Sequence, residues 1–243
     1  QVRTAFARKL EVQGSLELGK DGPVLRMDVV SSRINLSAPF AAFLPAAAAE
    51  EVKKLSLEGF VDVVARLKWD AKDGLVPISA SAEILRAELN LPHSPHPLRG
   101  LKGKVILTEH SFVVDNLGGS MGGARVTLSG KADFTGPWLS SPEAFRIGAL
   151  SLDARVDSFL LDQRVREALP QEMRPIFEEY KIDGLIGLSV ALKDCRTFPP
   201  RPEDVSASVR LEGVEFVYKK FAYPVTDVRG EVLIEKGRVT IER

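Results

Sequence analysis

An internal repeat governs what this chain can fold into. Ala65-Arg66-Leu67-Lys68 returns as Val190-Ala191-Leu192-Lys193, and Leu57-Glu58-Gly59 as Ile182-Asp183-Gly184, both 125 positions on. Leu44-Pro45 returns as Leu169-Pro170, and Leu25-Arg26-Met27-Asp28-Val29 as Leu150-Ser151-Leu152-Asp153-Ala154, at the same offset. A loop two residues longer in the second copy then moves the offset to 127. Ser79-Ala80-Ser81-Ala82 falls on Ser206-Ala207-Ser208-Val209, and the stretch from Pro97 to Val105 on that from Pro224 to Val232. Landmarks that hold register on both sides of an insertion are not coincidence. Residues 1–43 therefore read as the C-terminal part of one repeat, 44–168 as a complete repeat, and 169–243 as the N-terminal part of the next, all in one continuous sheet. The ends, at Gln1 and at Arg243 inside a strand pattern, read as cuts through a longer protein.

Within a repeat the dominant period is two, as expected of strands with one apolar face. Val61, Val63, Ala65, Leu67 and Trp69 alternate with Asp62, Arg66 and Lys68; Ile186, Leu188, Val190 and Leu192 form the matching set. There are about twelve such runs, many of about 11 to 15 residues, against about 5–6 for an ordinary strand. The expected fold is mainly β: a long, curved antiparallel sheet of repeated units, with short helical insertions. Apolar residues sit at even positions from Ile78 to Ile84 and at odd ones from Leu85, which calls for a β-bulge there. The same change of phase separates Val205, Ala207, Val209 and Leu211 from Val214, Phe216 and Tyr218. Helical signal is confined to Pro39–Lys54 and about Leu160–Tyr180, where Leu161, Val165, Ala168 and Leu169 share a face. Two short helices cannot cover an apolar face built by about twelve strands, which at about 4.8 Å spacing stack to nearly 60 Å.

The remaining motifs carry little chemistry. Gly118-Gly119-Ser120-Met121-Gly122-Gly123 precedes a strand pattern, so it reads as a hairpin rather than a phosphate loop. His93 and His96 sit among three prolines that forbid a helix, which makes a solvated loop a better reading than a metal site. His110 falls at a hairpin tip. Cys195 is expected in a loop after a strand as an incidental thiol. Trp69 and Trp138 read as packing residues before interfacial anchors. Acidic side chains are scattered on polar faces, and no set of residues converges on a reaction, so the chain reads as a non-enzyme without cofactor or metal. Its 33 Lys and Arg balance 33 Asp and Glu. That argues against nucleic acid, which requires a positive excess, and no stretch is apolar enough to span a bilayer.

The alternating strands, Gly-containing hairpins and Leu-Pro insertions resemble the AsmA-like superfamily, TamB-related repeating β-groove proteins. The segment Tyr223-Pro224-Val225-Thr226-Asp227-Val228-Arg229-Gly230-Glu231-Val232 carries most of the likeness, echoed by His96-Pro97-Leu98-Arg99-Gly100-Leu101-Lys102-Gly103-Lys104-Val105. Leu117-Gly118-Gly119 through Val126-Thr127-Leu128-Ser129-Gly130 adds to it. The resemblance implies a U-shaped groove with an apolar interior, projecting into the periplasm from an inner-membrane anchor absent here. It implies phospholipid transport between inner and outer membranes and no catalytic residues. Expected partners are phospholipid or other acyl-chain lipid, neighbouring repeats of the same longer chain and envelope membrane proteins, with no nucleic acid. The groove lining expected from the pattern is Val61, Val63, Ala65, Leu67, Trp69, Ile84, Val126, Leu128, Leu150, Leu152, Ala154, Ile186, Leu188, Val190, Leu192, Val209 and Leu211. Two alternatives remain at this point: a closed β-repeat scaffold whose apolar faces meet each other, and an outer-membrane protein assembly factor acting through strand edges.

Overall fold

The computed structural model describes residues 7–19, 22–36, 54–72, 74–91, 94, 96–135, 146–168, 179–197, 200–218, 220–236 and 238–242. These build one open, curved antiparallel sheet, with 79% of the described residues in strands and almost no helix among them. The strands are β1 (Lys9–Gly19), β2 (Gly22–Asn35), β3 (Glu58–Asp70), β4 (Gly74–Leu89), β5 (Leu98–Thr108), β6 (Ser111–Met121), β7 (Ala124–Thr135), β8 (Arg146–Leu160), β9 (Asp183–Cys195), β10 (Val205–Tyr218), β11 (Phe221–Glu235) and β12 (Arg238–Glu242). Their spatial order is their sequence order. Every connection is thus a hairpin or a looped excursion back to the adjacent position, the simplest way to pair strands of period two. One helix, α1 (Gln163–Ala168), and a 3-10 turn at Pro202–Asp204 complete the described elements. The helical expectation for Pro39–Lys54 lies almost wholly outside the described residues, as do Leu169–Glu178 and Trp138.

A line of bulges crosses the sheet. The register shifts between Ser31 and Ile34 on β2, Phe60 and Val61 on β3, Ile84 and Ala87 on β4, Val114 and Leu117 on β6, Val156 and Phe159 on β8, and Glu212 and Val214 on β10. The bulges on β4 and β10 fall where the apolar phase changes in the sequence, and Ala87 and Val214, where pairing resumes after each shift, lie 127 positions apart. Each bulge bends its strand. All lie toward the rim where the even-numbered strands end, so together they crease the sheet along its stacking direction.

Backbone geometry at the crease repeats with the sequence. Arg33 and Ser158 (φ 50° and 30°), Ser56 and Lys181 (45° and 43°), and Gly59 and Gly184 (146° and 126°) are pairs 125 positions apart. Gly100 and Asp227 (61° and 54°) and Gly103 and Gly230 (150° and 156°) are pairs 127 apart. Just beyond the crease, the Leu36 N–H donates to the Gly59 carbonyl at 2.9 Å, and the Leu161 N–H to the Gly184 carbonyl at 3.0 Å. The deepest apolar burial follows the same line: Val61, Ala87, Leu101 and Val214 are 2–5% exposed. Side chains converge where a sheet bends toward them, so the apolar face is the concave one. Ile34, Leu36 and Ala7 join Val61 in a small core at this rim, and Leu161 just before α1 and Val165 within it are also buried.

Glycine is required at the crease for space as well as for φ. A Cβ on Gly103 would lie 2.8 Å from the Asn116 oxygen and the Leu117 Cα, and one on Gly184 2.8 Å from the Val214 Cα. Both obstacles are backbone and cannot rotate aside. At Gly74 (φ 69°) a Cβ meets open space, leaving only the left-handed penalty of about 1 kcal/mol. Gly103→Ala and Gly184→Ala are therefore expected to destabilise the fold by about 2–3 kcal/mol each and Gly74→Ala by about 1 kcal/mol, read from urea denaturation midpoints. Equal losses at the three positions would contradict the crease as the tight point.

Candidate functional site

The register determines which side chains share a face, because residues directly opposite across an antiparallel pair project the same way. One row runs Leu10, Ser31, Val63, Ala82, Val105, Val114, Gly130, Leu152, Leu192, Val205. A second runs Leu117, Leu128, Ala154, Val190, Ala207, Ile234, Val239. A third runs Gly119, Val126, Val156, Leu188, Val209, Val232, Ile241. Val12, Val29, Ala65, Ala80, Leu107, Phe112, Ala132 and Leu150 form a fourth. Val61 opposes Ile84, Ile186 opposes Leu211, Leu67 opposes Met27 and Trp69 opposes Leu25. All the lining residues expected from the sequence thus lie on this one face. It is interrupted by a single small hydroxyl, Ser31, whose Oγ donates to the Lys9 carbonyl.

The result is a trough of small aliphatic side chains, walled by the bent strands and running along the stacking direction. Among the described residues, strands pack on their sequence neighbours and no second layer lies across the face. The accessible surface is 16131 Å², against about 10,700 Å² expected of a compact monomer of 26.6 kDa. Most of the lining is only half-buried, and Trp69 and Phe112 are exposed on it. The closed scaffold, which requires a dry core between two apolar faces, is not what these strands build.

The convex face is charged and self-neutralising. Lys9–Glu11, Lys68–Asp70, Arg86–Glu88, Lys131–Asp133, Arg155–Asp157, Arg210–Glu212 and Arg229–Asp227 are ion pairs two residues apart on one strand. Arg26–Glu17 and Arg66–Asp28 link neighbouring strands. Exposed pairs of this kind each contribute about 0–1 kcal/mol; their larger effect is to keep that face wet and the strand order unambiguous. Two depressions on this side mix acids with lysines or serines. One, of about 600 Å³, is lined by Glu83, Lys102, Lys104 and Asp115; the other is lined by Asp153, Ser189, Ser206 and Ser208. Neither is lined by a histidine or cysteine, and no cluster of metal-ligating groups occurs among the described residues.

Two residues differ from expectation. Cys195 is not in a loop: it ends β9, opposite Leu150, fully buried, with its thiol donating to the Thr197 carbonyl at 3.1 Å. The local sequence hides this because the matching position, Asp70, is polar. His96 is not simply solvated; its Nε2 lies 3.1 Å from Asp162 Oδ2, and its ring presses on Gly122, where a Cβ would come within 2.8 Å. Gly122 and Gly123, both at positive φ, form the two-residue turn joining β6 to β7, as the glycine run suggests. The Ser94 hydroxyl reaches Met121 Sδ at 3.4 Å. The segment before β5 thus leans across that turn to the start of α1. Residues missed as lining, among them Ala87, Leu101 and Val214, lie beyond the bulges, where the apolar phase switches.

Asp162 caps α1, its Oδ1 accepting from the Val165 N–H at 2.9 Å. That bond, with His96 beside it, holds the carboxyl below its ordinary range against the opposing effect of burial. Tyr218 stacks on Tyr180 at 5.0 Å, and burial together with Glu179 pushes its hydroxyl up. The fold defines a class: a single-layer, open antiparallel β-repeat sheet with an apolar trough. No family model, curated protein or solved structure matches this chain.

A depressed Asp162 contributes stability above its unfolded value and loses it as pH falls through the lower folded value. Asp162→Ala is expected to cost about 1 kcal/mol at pH 7 and to lessen the further loss of stability of the native chain below pH about 4. Urea midpoints from pH 2.5 to pH 7 test this; an acid limb as steep in the variant as in the native chain would refute it.

Proposed function

We propose that the trough holds acyl chains and that the protein is a conduit for phospholipid, performing no chemistry. The observation that carries this reading is the apolar lining of the concave face, interrupted only at Ser31 along the rows traced above, with no second layer of described strands upon it. A wet apolar face this large is unfavourable, and each methylene moved from water onto it gains about 0.8 kcal/mol. Small aliphatic side chains suit mobile chains because they impose no directional contacts. The charged convex face stays in water, and polar headgroups can project beyond the rims while the tails follow the trough. A line of repeats makes successive positions nearly equivalent, so a bound chain meets no deep well along the path.

The resemblance to AsmA-like proteins supports the same reading and supplies its setting: a periplasmic segment of a larger, inner-membrane-anchored protein that carries phospholipid between membranes. Among the described residues no helix is long and apolar enough to cross a bilayer, so an anchor would lie elsewhere. Assembly of outer-membrane proteins through strand edges is the second reading; it requires strand addition at an exposed edge.

Native mass spectrometry of the protein purified from a phospholipid-containing host is expected to show co-purifying diacyl lipid. Val63→Asp, Leu67→Asp and Val190→Asp each place a carboxylate on the trough floor, where its desolvation opposes tail binding by more than 1.4 kcal/mol, about tenfold in occupancy. Leu233→Asp on the convex face is expected to leave occupancy unchanged. Lipid-free protein that also fails to take up fluorescent phospholipid would overturn the conduit.

A further inference from the structure

We propose that a notch in one rim of the trough holds the polar end of a bound phospholipid, its ester level at Trp69 and its phosphate against Lys72. Resting on the conduit reading, this placement gives the lipid its orientation. The two rims differ in cover. At the rim from which the insertions leave, Val61, Ala87, Leu101 and Val214 are deeply buried, as are Leu161 and Val165, and His96 ties the β4–β5 segment to Asp162. At the opposite rim short turns join β3 to β4 and β5 to β6, and the apolar face opens to water. Along β3 alone, exposure rises from 5% at Val61 to 37% at Trp69. A lipid removes most apolar surface from water on that side of the trough.

The open rim is stepped. Thr108, at the end of β5, opposes Ser79, and Ser79 opposes Arg66. The β5–β6 hairpin therefore stops level with Arg66, whereas β3 and β4 stay paired out to Asp70 and Gly74. Those further residues raise the β3–β4 wall by about 13 Å. On the other side β7 also passes the step: Ala132 opposes Phe112, and pairing with β8 continues to Thr135. The result is a notch with exposed Phe112 at its sill and Trp69 on its taller flank, both facing the trough. Indole suits the ester level of a lipid, with an apolar body for the tails and an N–H for a carbonyl. No described residue bonds to that N–H. Lys72 is exposed in the adjoining β3–β4 turn. Asp70 beside it is already engaged, by the Lys72 main-chain N–H at 3.0 Å and by Lys68 Nζ at 2.7 Å. The Lys72 ammonium is in no ion pair among the described residues, which leaves its charge for a phosphate. The repeat does not copy this chemistry: 125 positions on stand Asp194 and Thr197. The tails can follow the whole trough, but the polar end has its own place at this notch.

Tryptophan quenching tests the orientation. Trp138→Phe leaves Trp69 as the sole tryptophan; should that variant not fold, the difference between the native chain and Trp69→Phe isolates the same signal. The protein is loaded from vesicles of phosphatidylcholine brominated either near the ester end or near the tail end of its chains, and the vesicles are then removed by flotation. Ester-end bromine should quench Trp69 more strongly than tail-end bromine. Lys72→Glu should lower lipid occupancy about fivefold at low salt and less at high salt. Equal quenching, stronger quenching from the tail end, or retained lipid without quenching would overturn the orientation and leave the conduit standing. Occupancy unchanged in Lys72→Glu at low salt would overturn the phosphate contact. Protein that retains neither lipid in native mass spectrometry would overturn the conduit itself, and the orientation with it.

Discussion

The alignment of bulges across neighbouring strands is the constraint on which this architecture rests. A single bulge only kinks one strand. Bulges repeated on β2, β3, β4, β6, β8 and β10 bend the face into a trough. Val61, Ala87, Leu101 and Val214, all deeply buried, lie at or next to these bulges on β3, β4, β5 and β10, so the fold gains cohesion where it would otherwise open. It also restricts those positions: the backbone of a neighbour lies against Gly103 and Gly184 where a Cβ would stand.

A single-layer sheet has little core, and its cohesion is distributed accordingly. Long strands give each of β2 to β11 a backbone ladder on both sides, which two-layer proteins with shorter strands replace by packing between layers. The convex face adds many weak ion pairs within and between strands, enough to specify order without rigid contacts. The insertion rim is the exception. There Leu36 and Leu161 are tied by main-chain hydrogen bonds to Gly59 and Gly184, and His96 reaches Asp162 across the β6–β7 turn. One rim is therefore knit together while the trough floor stays open.

Much of this was legible in the residues. Alternation in Val61 to Trp69 and in Ile186 to Leu192 identified both the strands and their apolar face, since a period of two assigns alternate residues to opposite sides whatever lies around them. The changes of phase at Ile84 and Leu211 located two of the bulges. Cys195 was misplaced because one strand-ending residue carries no periodicity of its own. The contact of His96 with Asp162 was invisible because it joins segments separated by four strands.

By itself the sequence determined the repeat, the strand period, the apolar face and the neutral charge, all of which are written locally in neighbouring side chains. The tertiary structure decided that the described strands leave the face open, that it is concave, and that β1 and β12 do not meet. Those properties depend on bend and twist accumulated over twelve strands, and a small change in either, summed along the sheet, separates a trough from a barrel. No single strand carries that information.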